Sequence, residues 1–249
     1  MLDQVIEKCK KLSLSSLAEN MEKGLDASKE KNWSFLHTLD YLLDHELERR
    51  KQNRISLRFK QSKLYDKNTI DQFNFNFHGS RKKNKNRILS LMSMEFIKDK
   101  KDIVLIGNPG TGKSLLAKII GYEATINQAK VLFTTAMDMI NHLIAAEADK
   151  SLLKKLNYYQ SPELLVIDEL GFLSLGVQGS NLFFQVISAR HDKKSSLITT
   201  NLPFAAWGKI FESTTVATAI ADRLVFNSEI IIMEGDSYRK SINNKKSQK

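Results

Sequence analysis

The octapeptide Gly107-Asn108-Pro109-Gly110-Thr111-Gly112-Lys113-Ser114 constrains this chain more than any other feature in it. Its glycines let the backbone curl until successive N–H groups point inward at phosphate oxygens. Lys113 adds a mobile positive charge, and Ser114 a hydroxyl suited to Mg²⁺. The loop needs a buried strand before it and a helix after it, so that the anion sits at a helix start among unpaired N–H groups. Both flanks are present. Residues 103–106 are an apolar, β-branched run, and Leu115, Leu116, Ala117, Ile119 and Ile120 recur at helical spacing. A nucleoside triphosphate held by residues 107–115 is the expected ligand.

A second motif suits the first. Leu164, Leu165, Val166 and Ile167 lead into Asp168 and Glu169, a buried strand ending in two carboxylates. Asp168 would hold Mg²⁺ through a water, as Ser114 would through its hydroxyl, and Glu169 would orient and polarise the attacking water. An acidic strand end capping the next helix is the structural alternative. The second carboxylate favours hydrolysis over transfer to an acceptor, which argues against a small-molecule kinase built on the same loop. The strand expected at 196–200 runs into Asn201, whose amide could reach both the γ-phosphate and the lytic water, or could simply start the turn before Pro203. Arg223, taken alone, reads as an ion-pair partner for Asp222 or Glu229. Arg190 and Arg239 are further candidates for sensing nucleotide. The five histidines lack metal-ligand spacing, and the single cysteine, Cys9, excludes both a thiolate zinc site and an internal disulfide. A reducing, cytoplasmic setting follows, with no run long and apolar enough for a membrane helix.

Apolar runs of strand length at 103–106, 131–134, 164–168, 196–200 and 229–233 alternate with amphipathic stretches at 113–128, 137–158, 179–191, 203–210 and 215–226. This is the sequence form of an α/β fold with a parallel sheet between helices. Ahead of it, residues 1–66 read as a small all-helical domain. One helix carries Leu2, Val5, Ile6, Cys9 and Leu12; a second is capped by Ser34; a third is expected around Ile55, Leu57, Phe59 and Leu64. Phe73, Phe75 and Phe77 alternate within 71–79 and suit a short strand or, preferably, an extended linker that pins its rings into the next domain. The domains expected are therefore 1–66, a basic and aromatic linker at 67–87, and the ATPase domain at 88–249.

Charge is concentrated at this junction. Residues 49–87 hold thirteen Lys or Arg, including Arg49, Arg50, Arg54 and Arg58, against Asp66 and Asp71, about +11 where the whole chain carries +10. Either a polyanion partner or a solvated face followed by a basic linker accounts for it.

Assembled, these elements resemble the IstB-type transposition helper ATPases, in the initiator and helicase-loader branch of AAA+ proteins that includes DnaC and DnaA. The resemblance rests on the phosphate loop, the run from Leu164 through Asp168-Glu169-Leu170-Gly171-Phe172 to Leu173, Thr199-Thr200-Asn201 with Pro203-Phe204, Ala221-Asp222-Arg223-Leu224 and Glu234-Gly235-Asp236-Ser237-Tyr238-Arg239. Asn108 and Ser114 stand where such proteins commonly show proline or glycine and threonine; serine keeps the hydroxyl.

The short stretch after the last expected strand leads to the expectation of no C-terminal lid. The resemblance implies an AAA+ P-loop NTPase binding ATP and Mg²⁺, with Asn201 as the first sensor. It further implies an ATP-dependent ring or spiral of identical copies on double-stranded DNA, recruiting the transposase of the same insertion sequence. Arg223 would be the arginine finger and Arg239 a substitute phosphate sensor. The 137–160 stretch would hold the extra helix of initiator-type proteins, with Lys150, Lys154 and Lys155 beside Tyr158 and Tyr159 suited to a DNA backbone. A DnaC-like replicative helicase loader is the alternative within the same fold.

Overall fold

Three helices, α1 (Leu2–Lys11), α2 (Ser15–Lys31) and α3 (Phe35–Ser62), begin the chain in a computed structural model that describes residues 1–238. Asn32 in the left-handed region, φ 51°, ends α2. Ser34 then accepts a hydrogen bond from the His37 N–H at 3.2 Å, the capping expected of it. The separate third helix does not form. Residues 48–54 are polar and basic but contain neither glycine nor proline, so nothing breaks the backbone and α3 continues through them.

Residues Met1–Leu57 form one compact unit, and a second begins at Arg58, inside α3 and short of the expected end at 66. The first unit is centred on Cys9, Leu17, Ala18, Met21 and Leu42. Gly24 lets α2 approach α3 closely, since a Cβ there would lie 2.8 Å from a Leu42 methyl.

The second unit opens with short helices α4 (Gly79–Lys83), α5 (Lys85–Ser90) and α6 (Glu95–Lys98). It continues as β1 (Asp102–Gly107), α7 (Lys113–Ile126), β2 (Val131–Thr135), α8 (Ala136–Ala148), α9 (Leu152–Gln160), β3 (Leu164–Leu170), α10 (Gly176–Arg190), β4 (Ser195–Thr200), α11 (Gly208–Phe211), α12 (Thr214–Phe226) and β5 (Ser228–Met233). The strands form one sheet in the order β2-β3-β4-β1-β5, with every pairing parallel. Alternation of side chains along each strand supplies both faces. Leu105, Val166 and Leu197 pack with α7, while Leu165, Ile167 and Ile198 pack with α8, α10 and α12.

One local expectation changes, and one pair of alternatives is decided. The helix expected over 137–158 divides at Lys150, whose φ of 56° is left-handed, and the Ser151 N–H closes the first half on Ala146 O at 2.8 Å. The Phe73/Phe75/Phe77 segment forms no strand: a 3₁₀ turn at Ile70–Gln72 precedes it, and Phe73 sinks into the core beside α7. Burial of the ring, about 2 kcal/mol or more, outweighs the period-two pattern that would have left alternate residues on a sheet face.

At the N-terminal end of the strands, away from the phosphate loop, Arg190 lies buried. It donates to Pro162 O at 2.8 Å, Gln160 O at 3.1 Å, Ser196 Oγ at 3.1 Å and Ser195 O. Its role is to satisfy carbonyls at strand starts, which corrects its candidacy as a nucleotide sensor. Burial lowers its pKa to about 10. Nearby Asp102 accepts from the Ser196 N–H at 2.6 Å, and burial raises its carboxyl to about 7.

Candidate functional site

The sheet order determines what can meet. β1 delivers the phosphate loop and β3 the carboxylates, with β4 hydrogen-bonded between them. A cleft opens at the carboxyl ends of these strands, as in other open α/β sheets. A cavity of about 280 Å³ lies there, lined by Pro109, Gly110, Gly112, Lys113, Ser114, Leu115, Glu169 and Thr199 among others.

Gly110 and Gly112 adopt φ 82° and 99°, conformations costly for any residue with a Cβ, and Gly112 caps the start of α7. Lys113 is buried and donates through Nζ to Gly107 O at 2.7 Å and Asn108 O at 2.9 Å, so its charge rests on its own loop beside the cavity. Thr111 Oγ1 donates to Asn108 O at 2.9 Å and ties the loop across its middle. The C-terminal segment covers one edge: the Tyr238 N–H donates to Gly110 O at 3.0 Å, and a Cβ on Gly110 would collide with Ser237.

On the other side, Asp168 is buried and its Oδ1 accepts from Ser114 Oγ at 3.0 Å and from Thr199 Oγ1. Thr199 Oγ1 in turn accepts from the Glu169 N–H at 3.0 Å. A bulge makes this possible. Ile167 pairs with Ile198 and Leu170 with Thr200, so Asp168 and Glu169 together oppose Thr199 alone. Glu169 takes φ 63°, left-handed for a residue with a Cβ, and lines the cavity. One carboxylate and one hydroxyl side by side, with phosphates as further ligands, suit Mg²⁺, which prefers few protein oxygens and retained waters. Among the described residues no group of three His, Cys, Asp or Glu could hold a metal by itself.

Sequence reasoning missed two members of this site. Thr199 lines the cavity, and Asn201 is not among its lining residues. Asn201 Oδ1 is instead buried near Gly171 without a hydrogen-bond partner among the described residues. The bulge in β3 produced that difference, and no pattern in the sequence announces a bulge. Arg81, counted with the basic linker, is 3% exposed and lines the cavity. It donates from Nε at 3.0 Å and Nη2 at 2.6 Å to Thr111 O, and from Nη1 at 3.0 Å to Asn74 O. Burial lowers its pKa, with Tyr238 opposing. The Phe73 ring 4.4 Å from its guanidinium was the available signal, an aromatic run directly ahead of a cation.

Other candidates lie apart. Arg223, on α12, donates to Ala219 O at 2.9 Å and stacks over Phe184 at 4.7 Å, outside the cavity lining. Arg239 lies outside the described residues. Arg49 pairs with Glu19, and Arg50 with Glu46 at 2.8 Å, while Arg54 is exposed on α3. Arg58 is half-buried in the second unit. Lys150 sits in the turn between α8 and α9; Lys154 and Lys155 are on α9, with Lys155 5.5 Å from the Tyr158 ring. Tyr158 is exposed, but Tyr159 is buried and its hydroxyl is 2.7 Å from His142 Nδ1, which corrects its candidacy as a DNA contact.

The profile of the IstB-like ATP binding protein family matches residues 7–247. The ATP-binding protein of insertion sequence IS5376 from Geobacillus stearothermophilus is 36% identical, over 96% of this chain and 94% of its own length. The corresponding protein of IS232 from Bacillus thuringiensis subsp. berliner is 33% identical, over 92% and 90%. Among solved structures, the DnaC helicase loader superposes with a TM-score of 0.58 at 21% identity, covering 69% of this chain and all but 1% of the loader chain, 99%. AMPPCP-bound DnaA from Aquifex aeolicus gives 0.59 at 19%, covering 75% of this chain and 56% of that one. These two likenesses establish the AAA+ fold.

Proposed function

The chain belongs to the IstB-like ATP binding protein family, and from that membership and the cleft just described we propose that it is an Mg²⁺-dependent ATPase. In this reading it assembles as identical copies on double-stranded DNA and assists the transposase of its own insertion sequence. The observation that carries the proposal is the continuous hydrogen-bond path from Ser114 through Asp168 and Thr199 to Glu169, beside Lys113 in one cavity. A phosphate-binding group, a metal-binding pair and a candidate base are thus mechanically connected.

In the reaction, backbone N–H groups of residues 110–115 receive the β- and γ-phosphates at the start of α7, and Lys113 turns from its own carbonyls to the outer oxygens. Mg²⁺, when bound near Ser114 and Asp168, supplies neutralisation of the phosphate charge. Glu169 orients a water in line with the γ-phosphorus and accepts its proton, and the left-handed backbone aims its carboxylate into the cleft. Asn201, two residues beyond Thr199 and outside the cavity lining, would reach the γ-phosphate only on a change of its loop. Arg223 of a neighbouring copy would complete the charge stabilisation, so that hydrolysis depends on assembly.

DNA contact is assigned to the basic residues of α3 and to Lys150, Lys154 and Lys155, through phosphates and without base reading. The relatives at 33–36% identity are proteins of insertion sequences, which favours the transposition role over helicase loading. Phosphate release is the test: the wild type should turn over ATP faster with duplex DNA and Mg²⁺, and Glu169→Gln should bind ATP yet release almost no phosphate. Rapid release by Glu169→Gln would remove the assignment.

A further inference from the structure

Arg81 presents a buried cation whose neighbours are two carbonyls and three aromatic rings. Its guanidinium lies 4.4 Å from the Phe73 ring, 5.5 Å from Phe77 and 5.6 Å from Tyr238. Among the described residues no carboxylate lies within ion-pair distance of it. Aromatic faces offset part of the cost of removing the charge from water, but not all. A charge kept this way beside a phosphate loop still calls for an anion.

Its hydrogen bonds show where that anion belongs. Nε and Nη2 both grip Thr111 O, at 3.0 and 2.6 Å. The peptide between Thr111 and Gly112 is planar and trans, so its N–H points opposite to its C=O. Holding the carbonyl therefore aims the Gly112 N–H away from Arg81, and in a loop that cradles phosphate that N–H is one of the donors to the anion. Two donors on one carbonyl also polarise the peptide and strengthen its N–H as a donor. Gly112 is required twice over: its φ is 99°, and a Cβ would strike Arg81 Nη2. The third bond, Nη1 to Asn74 O at 3.0 Å, ties this peptide to the aromatic segment, while Tyr238 joins the same group from the C-terminal side.

We infer that Arg81 is a positioning residue of the nucleotide site: it sets the Thr111–Gly112 peptide for the β-phosphate and supplies the buried positive charge that the phosphates neutralise. The inference rests on the ATP-binding reading of this cavity. Its distinguishing feature is selectivity for phosphate over nucleoside, which a residue needed only for folding would not confer.

The test is competition binding of ADP and AMP against a fluorescent ADP analogue, for the wild type, Arg81→Gln and Arg81→Lys, with thermal unfolding measured alongside. Arg81→Gln should weaken ADP by about 10- to 100-fold, from one charge and a doubly bonded carbonyl, while AMP changes by less than about 3-fold. Arg81→Lys keeps the charge without the two-pronged grip, and should fall between the two. Should Arg81→Gln fail to fold, the Arg81→Lys ratio of ADP to AMP loss decides alone. Equal losses for ADP and AMP, or no loss for either, would overturn the inference while leaving wild-type nucleotide binding intact. A wild type that binds neither nucleotide would instead remove the ATP-binding reading, and the inference with it.

Discussion

Replacing Thr199 with valine keeps the shape of the side chain and removes one hydroxyl. That hydroxyl accepts from the Glu169 N–H at 3.0 Å and donates to Asp168. The substitution leaves an amide without its acceptor, about 1–3 kcal/mol, and takes one donor from a buried carboxylate, about 1.5–3 kcal/mol. The left-handed backbone of Glu169, φ 63°, stores a further 1–3 kcal/mol, roughly, that the amide bond helps to hold. Once released, Glu169 relaxes and its carboxylate leaves the line of attack. If about 2.7 kcal/mol of this appears in the transition state, kcat falls about 100-fold. KM should change by less than about 3-fold, because the phosphate loop is untouched. Steady-state phosphate release measures both constants, and Thr199→Ser, which restores the hydroxyl, should recover most of the rate. On a Glu169→Gln background the valine should add almost nothing, since both changes act through one group. A Thr199→Val enzyme with normal kcat, or one whose whole defect lies in KM, would refute the assignment of Thr199 as the residue that holds Glu169 in place.

Two other outcomes follow from the geometry. Arg223→Ala should lower turnover at saturating protein by about 10³-fold or more while isolated copies bind ATP normally, by calorimetry; unchanged turnover would remove the finger. Asp102 has a folded pKa of about 7 against an ordinary 3.8, raised chiefly by burial, so folding takes up a proton. Its contribution to stability is full below pH 4, roughly, and is lost as pH rises through 7. Asp102→Asn should therefore lose less melting temperature than the wild type between pH 5 and 7, roughly, and equal slopes would contradict the burial argument.

The phosphate loop and the five strands were legible because their signals are local. Each strand is an apolar run, and the glycine spacing of 107–112 has one structural use. The family resemblance, too, rested on contiguous motifs. What escaped depended on tertiary placement. The bulge that sets Thr199 against Asp168 and Glu169 arises from pairing with β4, and nothing in residues 164–170 marks it. Arg81 and Lys82 are neighbours of the same charge, yet only one is buried, because α4 turns Arg81 toward the loop. Arg190 looked like a sensor at the end of an amphipathic helix, but β4 and the residues leading into β3 lie beside it and claim its donors. The continuous α3 shows the converse: polarity alone does not end a helix when no breaker is present.

The central claim is that ATP held in this cleft joins copies of the chain along a duplex. The most direct measurement is the mass, by light scattering, of Glu169→Gln on a short DNA duplex, with ATP and then with ADP. The account predicts a stable multi-copy complex with ATP that falls apart with ADP. A protein that stays monomeric on the duplex with ATP in excess, or assembles equally with either nucleotide, would contradict it.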